Sequence, residues 1–394
     1  MLAPMTARGA MALLSPSARV LIAAALPSDG AEIASQLPWS DVHWPTLLSL
    51  TSFERAESQI FRLLRAAPVG AVPEDVQRAV QGIYRVAVFR AAELAAAAGV
   101  AADALRAAGI EVLWLKGAAL AMQSPDDFAV RSMGDLDLLM DSAQQPAARQ
   151  ALRVAGWSDG VHPGTYDRHH HDAPMFWRGG LRLELHTGLF SPGHPFAPDS
   201  AAVWLGRSVE RSWGARQARV LPPEWHLVHA SVHWAWSHEG TVGSWQYLHD
   251  AHRISSAWPP GGEEWATVVR LAAELGGSRP VGWAVWSAAR LAGLPVAVST
   301  LEALRGRAGW SLGISEREWV LRAFHSPAAS PSVRWSRFWW RQAMGGLGRA
   351  NGAWPWALGR TVADDSEVPG SVGAKRTGST LQRWRRHLAR VLGS

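Results

Sequence analysis

The segment Gly134-Asp-Leu-Asp-Leu-Leu-Met140 decides how this chain is read. As a strand it sends Asp135, Asp137 and Leu139 to one face and Leu136, Leu138 and Met140 to the other. The second face asks for a core. The first is unusual, because aspartate is disfavoured in strands and neighbouring like charges repel unless something neutralises them. A divalent cation does so, and two acids at this spacing can hold Mg2+ or Mn2+ against a nucleoside triphosphate. The plainer alternative is a strand end whose acids face water.

Upstream, Ala91 to Ala108 is Ala- and Leu-rich at helical spacing and stops at Gly109. Ile110-Glu-Val-Leu-Trp-Leu115 then has the length and β-branched content of a buried strand. Lys116-Gly117 opens a short apolar helix to Met122, and a polar loop (Gln123 to Ala129) leads to Arg131 and the acidic strand. Downstream, Pro146 sits in the first turn of a helix reaching Ala155. Met175-Phe-Trp-Arg178, Gly179-Gly180 and Leu181-Arg-Leu-Glu-Leu-His186 read as an antiparallel hairpin. Helical spacing also fills Trp44 to Ala108, with a break at Pro68–Pro73, and returns beyond Pro222 up to Glu316–Phe324.

The expectation is an α+β fold, a small mixed β-sheet flanked by N-terminal and C-terminal helical regions. Its units would be residues 1–95 (helical), 96–190 (core), 191–345 (helical) and 346–394, a linker ending in the basic amphipathic helix Leu381 to Leu392. At 394 residues two or three units are the prior. There are no cysteines, so disulfides, thiolate nucleophiles and cysteine-bound zinc are excluded. The apolar stretches before Pro27 are too interrupted to span a bilayer and lack a signal-peptide layout, so a cytoplasmic location is expected.

The net charge of +6 is carried almost wholly by arginine, and the only lysines are Lys116 and Lys375. A chain that writes arginine nearly everywhere keeps a compact ammonium at position 116. Lys116-Gly117 falls at a strand-to-helix turn, where free N–H groups suit a phosphate. Arg131 and Gly134 complete the candidate phosphate-binding set. By strand alternation Glu184 shares a face with Arg182 and His186, and if its strand neighbours the acidic one, Asp135, Asp137 and Glu184 converge on one metal centre. Otherwise Glu184 is an exposed strand residue paired with an arginine.

These motifs, in order, resemble the bacterial uncharacterised nucleotidyltransferases of the DNA polymerase beta-like superfamily. The resemblance rests on Val112-Leu-Trp-Leu-Lys-Gly117, Arg131-Ser-Met-Gly-Asp-Leu-Asp-Leu-Leu139 and Leu183-Glu-Leu-His186, and extends into Leu221 to His233 and Trp245 to Asp250. It implies that Asp135, Asp137 and Glu184 bind catalytic magnesium and that a nucleoside monophosphate passes from a nucleoside triphosphate to an unidentified acceptor, whether small molecule, sugar, peptide or protein. Lys116-Gly117 stands where the superfamily usually has Gly-Ser or Gly-Gly, so the triphosphate is held differently or transfer is reduced.

The histidines offer another reading. His169-His-His171 precedes the hairpin, and His226, His229 and His233 fall on one helical face, followed by His238, His249 and His252. His169, His171, His186, His233 and Asp250 are candidates for substrate contact. His249-Asp250 with His233 upstream partly resembles metal-dependent phosphohydrolases, without that family's full ligand set. A non-catalytic scaffold is the third alternative. The basic C-terminal helix could rest on an anionic membrane surface, and a nucleic-acid partner is disfavoured.

Overall fold

The computed structural model describes residues 14–26, 30–122, 131–160, 174–190, 194–196, 200–238, 240 and 243–308. The polar loop after Met122, His169 and His171, the helix expected at Glu316–Phe324, the linker and the basic C-terminal helix lie outside the described residues.

Four short helices, α1 (Pro16–Ala23), α2 (Gly30–Ser35), α3 (Trp44–Phe53) and α4 (Glu57–Arg65), precede the long α5 (Glu74–Ala107). Glu74 and Asp75 lie in the first turn of α5, where acids complement the helix dipole. Its end is a glycine cap: Gly109, at φ +69°, donates its N–H to Arg106, and Ile110 donates to Leu105. Ile110 is thus used up by the cap. The strand expected from Ile110 to Leu115 shrinks to β1 (Leu113–Trp114).

The chain continues as α6 (Lys116–Ala121), β2 (Asp135–Leu139), α7 (Gln145–Val154), β3 (Ser158–Asp159), β4 (Met175–Trp177) and β5 (Leu181–His186). After α8 (Ala201–Arg207) a hairpin that the sequence reading does not anticipate, β6 (Val209–Trp213) and β7 (Arg216–Val220), returns to the sheet. Then come α9 (Pro223–Val232), a π-helical turn (His233–Ser237), α10 (Ser244–Ile254), α11 (Glu263–Leu275), α12 (Ser278–Ala292) and α13 (Val298–Ala308). No helix among the described residues is long and apolar enough to cross a membrane.

The seven strands form one mixed sheet in the order β3-β4-β5-β2-β1-β7-β6. β2 lies parallel to β5 and antiparallel to β1, and β1 runs parallel to β7. One face is apolar: Leu136, Leu138, Leu181, Leu183 and Leu185 are buried with Leu94, Ala98 and Leu105 of α5 and Ala148 and Leu152 of α7. Burying each leucine is worth about 1.5–3 kcal/mol, and a one-residue slip would exchange these leucines for the acids of the opposite face, so the register is firmly specified.

The helices beyond Pro222 share a second core with the N-terminal helices, aliphatic but rich in tryptophan, including Trp204, Trp225, Trp234, Trp245, Trp265 and Trp283. This accounts for much of the tryptophan excess. Arginine contributes at its edge, where the Arg207 guanidinium lies over Trp204 and Trp225. Between this helical core and the polar face of the sheet lies a cleft.

Candidate active site

The parallel pairing of β2 with β5 places Asp135 opposite Arg182 and Asp137 opposite Glu184. The two strands are neighbours, which is the condition under which Glu184 shares a face with the aspartates. Asp137 is buried at the centre of the cleft floor. Lys116 Nζ donates to its Oδ1 at 2.6 Å and His186 Nε2 donates to the same oxygen at 2.8 Å. His186 Nε2 also lies 3.6 Å from Glu184 Oε2. One ligand atom from each of Asp137, Glu184 and His186 falls within 4.8 Å of the others. Among the described residues this is the one such group of three.

Asp135 stands apart from that group, because Arg182 Nη2 donates to its Oδ2 at 2.5 Å and also lies 3.3 Å from Glu184. The arginine bridges the two strands and shares its charge between two acids. Sequence reasoning placed Arg182 on this face only as a possible neutraliser of Glu184.

The electrostatics follow from this packing. Burial alone would raise the Asp137 carboxyl, but the Lys116 ammonium and the His186 hydrogen bond outweigh it and hold the group well below its usual range. Glu184 is likewise lowered, its burial offset chiefly by the His186 hydrogen bond. Lys116 and His186 are shifted the other way: burial would lower each, and the surrounding carboxylates raise both.

Lys116 is the first residue of α6 and has a left-handed backbone, φ +49°. Gly117 follows because nothing larger fits, since a Cβ there would overlap the Arg131 guanidinium. Arg131 makes a bidentate ion pair with Asp250, at 2.7 and 2.8 Å, and both partners are buried. Gly134 repeats the arrangement, its Cα lying under the guanidinium of Arg55. Arg55 also has a left-handed backbone, φ +54°. It is a charged cleft residue that the sequence reading missed, since within Ser52-Phe-Glu-Arg-Ala56 it looks like one more polar helix position.

The cavity has a volume of about 470 Å³. Its floor carries Lys116, Asp135, Asp137, Arg182, Glu184 and His186, and its opposite wall carries His226, His229, His233, His238 and Tyr247. Burial lowers His226 to about 4 and His229 to about 3, so these rings are neutral at pH 7. The π turn carries His233 into the wall, its Nε2 lying 3.0 Å from that of His238. Such turns recur at functional sites.

The histidine and aspartate set of a phosphohydrolase does not assemble. Both Asp250 oxygens are taken by Arg131. His249 stacks on Trp245 and its Nδ1 contacts the Ala25 carbonyl. His233 and Asp250 line the same cavity but belong to no three-ligand cluster among the described residues.

A crystal structure titled an antigenic nucleotidyltransferase-like protein from Paracoccidioides brasiliensis is similar at 15% identity, over 55% of this chain and 95% of that one, with a TM-score of 0.30. No curated protein matches. The model of a family described as uncharacterised nucleotidyltransferase matches residues 40–293, a span that begins before Arg55 and ends after α12. That is well over half of the 394 residues, and the chain belongs to this nucleotidyltransferase family.

Proposed function

We propose that this chain is a divalent-metal-dependent nucleotidyltransferase that moves a nucleoside monophosphate from a nucleoside triphosphate to an acceptor hydroxyl or phosphate. The observation that carries the reading is the register of Asp137 against Glu184 on parallel neighbouring strands, with His186 completing a three-ligand group. Two carboxylates and an imidazole are a donor set that fits a divalent ion, and Asp135 adds a carboxylate on the same face. The oxygens suit Mg2+, and the imidazole makes Mn2+ an equal candidate. When bound, the ion would polarise phosphoryl oxygens and offset charge on the departing pyrophosphate.

The remaining work falls to side chains of the cleft. Lys116, at the turn into α6, supplies an ammonium to the phosphates, and Arg131, pinned by Asp250, keeps the Gly117 turn in shape. Arg182 holds Asp135 and Glu184 at fixed separation across the strands. Glu184 takes the acceptor proton as the new bond forms from acceptor oxygen to the α-phosphorus and the bond to the pyrophosphate oxygen breaks. The neutral imidazoles of His226 and His229 on the wall can donate and accept hydrogen bonds, which suits a hydroxyl-bearing acceptor.

Pyrophosphate release from each of the four nucleoside triphosphates, with Mg2+ or Mn2+, tests the reading, together with mass analysis of the protein and candidate acceptors for an added nucleotidyl mass. The expected result is release that needs metal and that Asp137→Asn abolishes. Release that persists in Asp137→Asn would overturn it.

A further inference from the structure

Among the described residues two non-glycine residues have a left-handed backbone, Arg55 and Lys116; both are cationic and both line the same cavity. For Arg55 the local reason is a helix ending. Arg55 donates its N–H to the Ser52 carbonyl and Ala56 donates to the Thr51 carbonyl, the double bond of a capped C-terminus, and Arg55 occupies the position that favours glycine. An arginine there costs about 1 kcal/mol of backbone strain that glycine would not. Its side chain therefore has to be sought elsewhere in the structure for a reason to be present.

The position is held from both sides. Glu54, buried one residue earlier, accepts the Trp245 N–H at the start of α10 at 2.9 Å, tying the end of α3 to the cleft wall. On the other side the Arg55 guanidinium lies against the backbone of Gly134, so close that any Cβ on residue 134 would overlap it. Gly134 immediately precedes Asp135, so the guanidinium rests at the edge of the carboxylate floor.

Four Lys and Arg side chains line the cavity. Lys116 is bonded to Asp137, Arg131 to Asp250, and Arg182 to Asp135 and Glu184. Arg55 alone has no carboxylate partner among the described residues, and it is exposed. A planar five-donor fork at the rim of the cavity, with no carboxylate of the described residues paired to it, is suited to phosphate oxygens.

We infer that Arg55 is a polyphosphate-binding residue, contributed by the N-terminal helices, that grips the non-transferred phosphates of the nucleoside triphosphate at the rim of the cleft. The inference deepens the nucleotidyltransferase reading and rests on it for the identity of the donor. The N-terminal helices are then part of the nucleotide site, and the departure at Lys116-Gly117 is offset by a guanidinium from outside the sheet.

The test is titration calorimetry with two probes: inorganic tripolyphosphate without metal, and each nucleoside triphosphate with Mn2+. The principal variant is Arg55→Gly, which removes the side chain at a position where glycine is the better backbone residue, so its melting temperature should equal or exceed that of the wild type. Arg55→Gly should bind tripolyphosphate tenfold to a hundredfold more weakly, the loss expected for a charge-assisted contact. Arg55→Lys should fall in between, because it keeps the charge and loses the fork. Gly134→Ala should also weaken binding, by displacing the guanidinium. Arg65→Ala, the same charge change on an exposed arginine outside this cavity, should not.

Unchanged tripolyphosphate affinity in Arg55→Gly overturns the inference, as does a wild type that binds neither probe. The Mn2+ arm, repeated with Asp137→Asn, tests the parent reading separately. Nucleotide binding indifferent to Asp137 but lost without Arg55 would sink the metal site and leave the Arg55 site standing.

Discussion

Lys116 Nζ lies 2.6 Å from Asp137 Oδ1, so the carboxylate at the middle of the acidic face is already paired with an intrachain cation. Arg182 does the same for Asp135 at 2.5 Å. The like charges that made the acidic strand conspicuous are compensated within the fold itself.

One consequence concerns free metal. A divalent ion reaching Asp137 without a nucleotide must compete with the Lys116 ammonium, so Lys116→Met should bind free Mn2+ more tightly than the wild type, by about tenfold, in a paramagnetic-resonance titration. The same variant leaves Asp137 buried without its ammonium. Its melting temperature without metal should fall, by roughly 2–3 kcal/mol of stability, below the full loss for a buried pair because the lysine is partly exposed. Lower Mn2+ affinity in Lys116→Met would mean that the ammonium is no competitor.

Arg131 and Asp250 are separated by 119 residues and meet in a buried bidentate pair that joins the approach to β2 with α10. Asp250→Asn strands a buried guanidinium and should cost about 3–5 kcal/mol in urea unfolding. The double change Arg131→Met with Asp250→Leu should recover most of that loss, because neither charge is then left unpaired. Equal destabilisation in the single and double variants would contradict the pairing.

Glu54 gives a pH dependence with a defined sign. Burial pushes its carboxyl up to about 8, although the backbone N–H groups of Trp245 and Ser244 pull it down. A raised carboxyl favours the protonated folded state, so its contribution is whole below the ordinary pKa of 4.5 and is lost as pH rises toward 8. His226, His229 and His249, lowered by burial, oppose this trend below about pH 7, where their unfolded rings are still partly protonated, so the Glu54 loss, about 2 kcal/mol between pH 6.5 and 8, is read as the difference between the wild type and a Glu54 variant. His186, raised by its acids, adds to the same trend. Chemical unfolding at several pH values should show Glu54→Gln flattening this slope by about 1.4 kcal/mol per pH unit, and an unchanged slope would remove Glu54 as its source.

What the sequence made legible was local. Alternation in Asp135-Leu-Asp137 and Leu183-Glu-Leu185 identified the faces of both strands, and the glycine pair at 179–180 marked the hairpin. The pairing of those strands was a condition, because parallel contacts between residues about 47 apart leave no local trace. The β6–β7 hairpin was missed although Gly214, at φ +56°, makes its turn. Its first strand reads Val-Glu-Arg-Ser-Trp, is largely exposed at the sheet edge, and lacks the apolar alternation that marks a half-buried strand. Arg55 and the Arg131–Asp250 pair were hidden for the same reason as the strand pairing: each acquires its role from a partner distant in sequence.

The proposed reaction depends on Asp137 and Glu184 holding a metal against a nucleoside triphosphate. Titration of Mn2+ followed by paramagnetic resonance, with and without nucleoside triphosphate, tests it without knowledge of the acceptor. Nucleotide should raise Mn2+ affinity in the wild type, and Asp137→Asn and Glu184→Gln should abolish this gain while remaining folded. Nucleotide-dependent Mn2+ binding that survives both substitutions would contradict it.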